Sequence, residues 1–293
     1  GASDGGLPPD SVIQVDEDIL HQSETLISKW HNPQPGAKTQ IALAPCSPFS
    51  VSETLMRDTA AMAKKEGILL HTHLAETEDE NAFCIERYGE RPLDYIERLG
   101  WLDAPGWLAH GIHFSPSEIK RLGEANIGVS HCPSSNMILG SGICPIMDLE
   151  TAQVPVGLGV DGSASADSSN LMQEVRQALL IQRLTSPPEA ITPERALHWG
   201  TLGGAKLIHR DDIGQIAPGY EADLAFFSLD ELRFSGAEDP LSAVVLSGAH
   251  RAKHVMVAGN WVVSDYQLNA IDIERLAFDH GSASSALLKR SRL

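Results

Sequence analysis

The sequence predicts an α/β protein built on a partial (β/α)8 barrel, with a small β-rich appendage. Three observations predict it. Short apolar runs alternate with longer helix-patterned segments, as in repeated strand–helix units on a parallel sheet. Most of the apolar runs end in a polar residue capable of chemistry, namely Cys46, His73, His110, His131 and Asp161; barrel enzymes assemble their sites at that end of the strands. Beyond about Gly214 the texture becomes strand-rich. A doubly wound sheet also places ligands at strand ends, but no glycine-rich phosphate fingerprint follows any strand here.

The elements follow in chain order. TQIALAPCS (39–47) reads as a buried strand. Ser50 to Glu53 forms an S-x-x-E capping box, and the helix it opens runs to Gly67, a natural stop. ILLHTH (68–73) is the next strand, followed by helical stretches over 78–88 and 92–99, closed by Gly89 and Gly100. GWLAH (106–110) is a short strand, and Ser115-Pro116-Ser117-Glu118 is a second capping box with proline at the first helical position. NIGVSH (126–131) and VPVGLGVD (154–161) are two further strands. Residues 171–184 are helical, and Thr192-Pro193 opens a helix reaching about Ile208. Five strands are visible, about three short of a barrel of eight. In the appendage, ADLAFFSL and KHVMVAGNWVVSDYQL are strand-like, with Gly259-Asn260 as a hairpin turn. Residues 272–293 read as a helix passing into a disordered tail, and the opening GASDGGLPPDS reads as loop without a signal peptide.

Composition narrows the function. The net charge of −17 argues against a nucleic-acid partner, which needs a basic face to neutralise phosphates. No apolar run reaches the ~18 residues of a membrane span. The four cysteines form no C-x-x-C pair, which argues against a zinc knuckle and, weakly, for a reducing cytoplasm.

The residues that carry chemistry sit at strand ends. Alternation puts Leu69, His71 and His73 on one face, with Glu76 in the loop just beyond. His71 by itself is best read as a packed, hydrogen-bonded histidine, whereas HTHLAE as a whole points to function. Asp161 ends an apolar strand, where a carboxylate needs a partner or a metal. It shares its face with Gly157 and Gly159, which leave room near it. The competing reading, a cap for the turn DGSASAD, is the weaker one beside the strand-end histidines. His113 is expected to lie outside the site or in solvent, and His131 and Cys132 to line a helix or fix a loop. Glu78, Asp79 and Glu80 make a favourable negative helix start. A zinc hydrolase site needs about three protein ligands and an open position for water, a carboxylate base and a second acid. His73, Asp161 and Glu76 are candidates for ligand, ligand-and-base, and acid.

With these residues in place the chain resembles the amidohydrolase superfamily, in particular its metal-dependent aminohydrolases of purines, pterins and triazines. The resemblance is carried, in family order, by APCSPFSVS, HTHLAET, LAHGIH, SHCPSSNMILGSG, VGLGVDGSASAD and IGQIAPGYEADLAFF. It implies barrel strands four to eight in residues 1–210, the C-terminal part of a small β-sandwich in 211–271, and a tail in 272–293. It implies that His73 and Asp161 bind one divalent metal, zinc by default with iron as the alternative. Asp161 is then also the general base, Glu76 binds the substrate ring and shuttles protons, and His110 orients hydroxide or substrate. The implied reaction is hydrolytic deamination of an oxidised purine, 8-oxoguanine to urate plus ammonia, by metal-activated hydroxide. The alternatives are a triazine, guanine or isoxanthopterin substrate, or a catalytically incomplete chain. The last arises because the family's first metal ligands, a His-x-His pair after barrel strand one, are expected upstream of Gly1. His71 and His73 are not that pair. A small heterocyclic substrate, a homo-oligomer, and no nucleic-acid or membrane partner complete the expectation. A cytidine-deaminase-type site is disfavoured, since its P-C-x-x-C signature does not occur.

Overall fold

The computed structural model describes residues 9–291. Its main body is a five-stranded parallel sheet in the order β1 to β5, with helices in the connections. Helix α1 (Asp16–Trp30) precedes β1 (Ala42–Leu43); α2 (Glu53–Glu66) leads to β2 (Leu69–Leu74). Helices α3 (Glu78–Tyr88) and α4 (Pro92–Arg98) lead to β3 (Gly106–His110), α5 (Pro116–Ala125) to β4 (Gly128–His131), and α6 (Pro133–Leu139) and α7 (Ile146–Thr151) to β5 (Val156–Leu158). Parallel pairing without a shift in strand order puts all five C-terminal ends on one side. Among the described residues β1 and β5 each pair with one neighbour only, so the sheet is not closed.

Both edge strands are shorter than their apolar runs. Pro45 has no N–H to donate, and the Cys46 carbonyl continues the backbone pairing with β2, accepting from His73 N–H at 3.0 Å. At the other edge Gly159 N–H still donates to His131 O at 2.9 Å, but the ladder then gives way to the turn that carries Asp161. On β2 the residues alternate, with Leu70, Thr72 and Leu74 buried towards the helices and Leu69, His71 and His73 half-buried on the opposite face.

The capping box at Ser115 and Glu118 forms as expected, with Glu118 N–H on Ser115 Oγ at 3.3 Å and the carboxylate accepting Ser115 N–H at 2.6 Å. The one expected at Ser50 does not. Ser52 caps α2 instead, accepting Leu55 N–H at 3.0 Å. That register buries Val51 and Met56 on either side of the cap, a hydrophobic staple that outweighs the S-x-x-E spacing.

Helix α8 (Leu171–Gln182) precedes α9 (Pro193–His198), and the chain continues through a π-type stretch at Trp199–Gly203 into α10 (Gly204–Leu207), the end expected near Ile208. Gly203 permits this approach, since a Cβ there would lie 2.2 Å from Val156 O of β5. Gly157 serves the same contact. A Cβ there would meet Leu207 Cδ1 at 2.6 Å, so its missing side chain makes room for α10 rather than for Asp161.

The remainder holds β6 (Leu224–Phe226), α11 (Pro240–Leu246), β7 (His254–Val257), β8 (Asn260–Ser264) and β9 (Gln267–Leu268). These strands form an antiparallel four-stranded sheet. Val257 pairs with Asn260, so the hairpin turn is Ala258-Gly259, one residue earlier than expected. Both turn residues have positive φ (45° and 75°), as the tight turn that suits strand twist requires. Helix α12 (Ile273–Ser291) extends the predicted helix through the segment expected to be disordered. The last two residues of that segment, and residues 1–8 of the predicted N-terminal loop, lie outside the described residues. No helix among the described residues is long and apolar enough to cross a membrane.

Candidate active site

Three strand ends meet at the C-terminal side of the sheet. β2 contributes His73 and, one turn on, Glu76; β3 contributes His110; the turn after β5 contributes Asp161. His73 Nε2 lies 3.9 Å from Asp161 Oδ1, and His110 Nε2 lies 3.6 Å from Glu76 Oε2 and 4.0 Å from Asp161 Oδ2. The four residues singled out from the sequence therefore converge. The loops that carry them leave the strands abruptly: Ala75 (φ 54°), His110 (φ 71°) and Asp161 (φ 60°) all occupy the left-handed region. Such positions cost about 1–3 kcal/mol each for side-chain-bearing residues and are typical of functional loops.

Each imidazole is oriented by its Nδ1. His73 Nδ1–H donates to Cys46 O at 2.7 Å, which leaves Nε2 facing Asp161. The neighbouring Cys46 thiol and carbonyl hold the His73 pKa up at about 9. His110 Nδ1–H donates to Asn136 Oδ1 at 2.8 Å with both residues buried, so His110 also turns Nε2 into the site. A second-layer partner that fixes the tautomer in this way is the usual support for a metal-facing or catalytic histidine.

Asp161 is anchored through one oxygen. Ser135 Oγ and Ser165 Oγ lie 2.6 and 3.0 Å from Oδ2 and donate to it. Burial pushes the Asp161 pKa up, but the Ser135, Gly162 and Ser165 donors outweigh it and hold the carboxyl below its ordinary value. The carboxylate is thus ionised, with Oδ1 on the side of His73.

His73, His110 and Asp161 each offer one ligand atom, and these atoms lie within 4.8 Å of one another. Two imidazole nitrogens and a carboxylate oxygen are donors that suit zinc, so the residues fit a divalent cation. His71 stays outside the group. Its Nδ1–H donates to Trp107 O at 3.2 Å, and it stacks on the Trp107 ring at 4.7 Å. Burial lowers its pKa to about 4, the behaviour of a packed neutral histidine. His113 bridges Glu78 (3.0 Å) and Ser141 O (2.9 Å), and His131 is fully buried.

Four supporting residues escaped the sequence reading. Ser135 and Asn136 lie in CPSSN and Ser165 in DGSASAD, where polar residues read as turn or helix-start chemistry. Glu80, part of the expected acidic helix start, is in addition buried and accepts two backbone N–H groups. One signal was available for it, because Thr77 and Glu80 have capping-box spacing.

The amidohydrolase family model matches residues 5–262, most of the chain. The chain belongs to the amidohydrolase family. Among the family's characterised members, it is 56% identical to 8-oxoguanine deaminase of Pseudomonas aeruginosa over 98% of its length and 64% of that protein. It is 36% identical to isoxanthopterin deaminase from an unknown prokaryotic organism, over 86% of this chain and 56% of that one. In structure it resembles the zinc complex of atrazine chlorohydrolase from Arthrobacter aurescens, with a TM-score of 0.90 and 29% identity. That match covers 96% of this chain and 63% of the other. This amidohydrolase chain thus spans between 56% and 64% of the length of these relatives.

Proposed function

We propose that the protein containing this chain is a metal-dependent aminohydrolase that converts 8-oxoguanine to urate and ammonia. The observation that carries the reading is the 56% identity to an 8-oxoguanine deaminase across nearly the whole chain. The convergence of His73, Glu76, His110 and Asp161 supports it.

In this reading His73 and Asp161 hold the cation, with His110 beside them. Zinc is the preferred ion, iron the alternative. The chemistry such a cation supplies when bound is a water acidic enough to lose its proton near neutral pH. Asp161 takes that proton, its Oδ2 being engaged by two serines and its Oδ1 turned towards His73. The water oxygen adds to the ring carbon that bears the amino group. Glu76 donates a proton to the adjacent ring nitrogen, which draws electrons from that carbon. His110, held through Nδ1 by Asn136 with Nε2 turned into the site, orients water or the developing oxygen. Asp161 passes the proton it took to the amino group, the carbon–nitrogen bond breaks and ammonia leaves, while the hydroxyl proton of the adduct goes to Glu76 and restores its acid form.

The five-stranded sheet corresponds, in this reading, to strands four to eight of a (β/α)8 barrel (residues 1–210). Residues 211–271 are then part of a small β-sandwich and 272–293 a terminal tail. A cytoplasmic homo-oligomer acting on a small heterocycle is the corresponding cellular state. A second reading within the same chemistry is a pterin or triazine substrate, which the isoxanthopterin deaminase relative favours. Initial rates on 8-oxoguanine, guanine, isoxanthopterin and hydroxyatrazine separate the two. The proposal expects the highest kcat/KM with 8-oxoguanine, and failure to form urate from it contradicts the proposal. The remaining alternative, that the 293-residue chain by itself is catalytically incomplete, is tested by metal analysis and assay of that chain alone; stoichiometric zinc with turnover refutes it.

A further inference from the structure

We infer that Glu80 is a positioning residue that aims Glu76 into the site, an inference resting on the reading of Glu76 as proton carrier. Glu80 lies on the first turn of α3 and is 1% exposed. Thr77 caps that helix, its Oγ1 accepting Glu80 N–H at 3.3 Å. In a closed capping box the Glu80 carboxylate would reach back to Thr77 N–H. It reaches further instead. Oε1 accepts Ala75 N–H and Oε2 accepts Glu76 N–H, each at 3.1 Å.

These two bonds fix the bend on which the site depends. Ala75 is the left-handed residue (φ 54°) that turns the chain out of β2. Its carbonyl accepts Ile112 N–H at 2.8 Å and His113 N–H at 3.0 Å, from the loop that follows His110. Gly111 N–H adds a bond to Leu74 O at 3.2 Å. The loops after β2 and β3 are therefore clamped together at Ala75, with Glu80 holding the amide side and the β3 loop the carbonyl side. The second amide that Glu80 grips is that of Glu76 itself, whose carboxylate stands 3.6 Å from His110 Nε2.

Helix-dipole charge does not account for this placement. Glu78 and Asp79 occupy the same first turn, are exposed, and supply negative charge there without desolvation. Burying a third carboxylate is unfavourable, and burial indeed pushes the Glu80 pKa up to about 7. Its two N–H partners are the return for that placement, and both belong to the loop that carries Glu76.

The test uses the full protein loaded with zinc. Glu80→Gln keeps the shape but offers only one oxygen, so one amide loses its acceptor. Crystal structures of wild type and variant read the Glu76–His110 separation, and steady-state kinetics with 8-oxoguanine read the consequence. We expect the Glu76 carboxylate to move by about 1 Å and kcat to fall about 10²-fold. KM and zinc content should change little, and Glu80→Asp, which keeps the charge, should recover part of kcat. An unmoved Glu76 carboxylate in the Glu80→Gln structure overturns the inference. So does an unchanged kcat for Glu80→Gln when Glu76→Gln is impaired. If the glutamine variant does not fold, Glu80→Asp is read on the same two measurements. A Glu76→Gln protein with normal turnover would instead overturn the proton-carrier reading, while a displaced Glu76 in Glu80→Gln would still support the positioning role.

Discussion

Ser135 Oγ donates to Asp161 Oδ2 at 2.6 Å, the shorter of two serine bonds that orient this carboxylate. With Ser165 also on Oδ2 at 3.0 Å, Oδ1 is the atom that faces His73. Ser135→Ala removes the shorter bond and lets the carboxylate rotate. Outer partners of this kind are worth roughly 10–100-fold in metal affinity. We expect zinc affinity, measured by competition with a chromophoric chelator, to fall by about 10-fold in Ser135→Ala. An unchanged affinity would remove Ser135 from the account.

Asn136 sets the tautomer of His110 through the 2.8 Å bond to Nδ1. Nitrogen NMR of the wild-type protein should therefore show His110 protonated at Nδ1 and free at Nε2. In Asn136→Leu the buried Nδ1–H has no acceptor, at a cost of about 1–3 kcal/mol. We expect a lower Tm and a shift of His110 towards the other tautomer. Finding Nε2–H in the wild type would contradict the assignment.

How much of this was legible in the sequence depends on the distance over which each contact acts. Strand ends such as HTH and LAH announce themselves, because an apolar run terminating in histidine is a local pattern. The β2 alternation likewise placed Leu69, His71 and His73 on one face. The bonds of Ser135 to Asp161 and Asn136 to His110 each cross 26 residues, so spacing along the chain could not reveal them. The Ser52 cap goes with the burial of Val51, a tertiary effect that the S-x-x-E spacing at Ser50 does not show. Glu80 does lie in the acidic first turn of α3, but its burial is not local information: Glu78 and Asp79 beside it are exposed, and only the fold distinguishes the three.

His131 gives the fold a weak flank in acid. It is fully buried, its Nε2 has no hydrogen-bond partner, and burial depresses its pKa from 6.5 to about 3. Above pH 6.5 both folded and unfolded forms are neutral, so His131 carries no proton-linked penalty. As pH falls from 6.5 towards 3 the unfolded chain binds a proton that the folded chain refuses. Each pH unit in that window then costs about 1.4 kcal/mol of stability. Urea unfolding of wild type and His131→Leu between pH 7 and pH 4 checks this. The two curves should converge in slope near pH 7, and the wild type should lose on the order of 3 kcal/mol more by pH 4. Parallel stability profiles would contradict it.

In the proposed deaminase site Asp161 and Glu76 are separate proton-handling groups. The most direct measurement is urate formation from 8-oxoguanine by the zinc-loaded protein, its Asp161→Asn variant and its Glu76→Gln variant, with zinc content determined for each. The account predicts urate from the wild type and none from Asp161→Asn. It predicts a fall of about 10²–10⁴-fold in turnover for Glu76→Gln with zinc retained. Near-normal turnover in Asp161→Asn, or loss of zinc from Glu76→Gln, would contradict it.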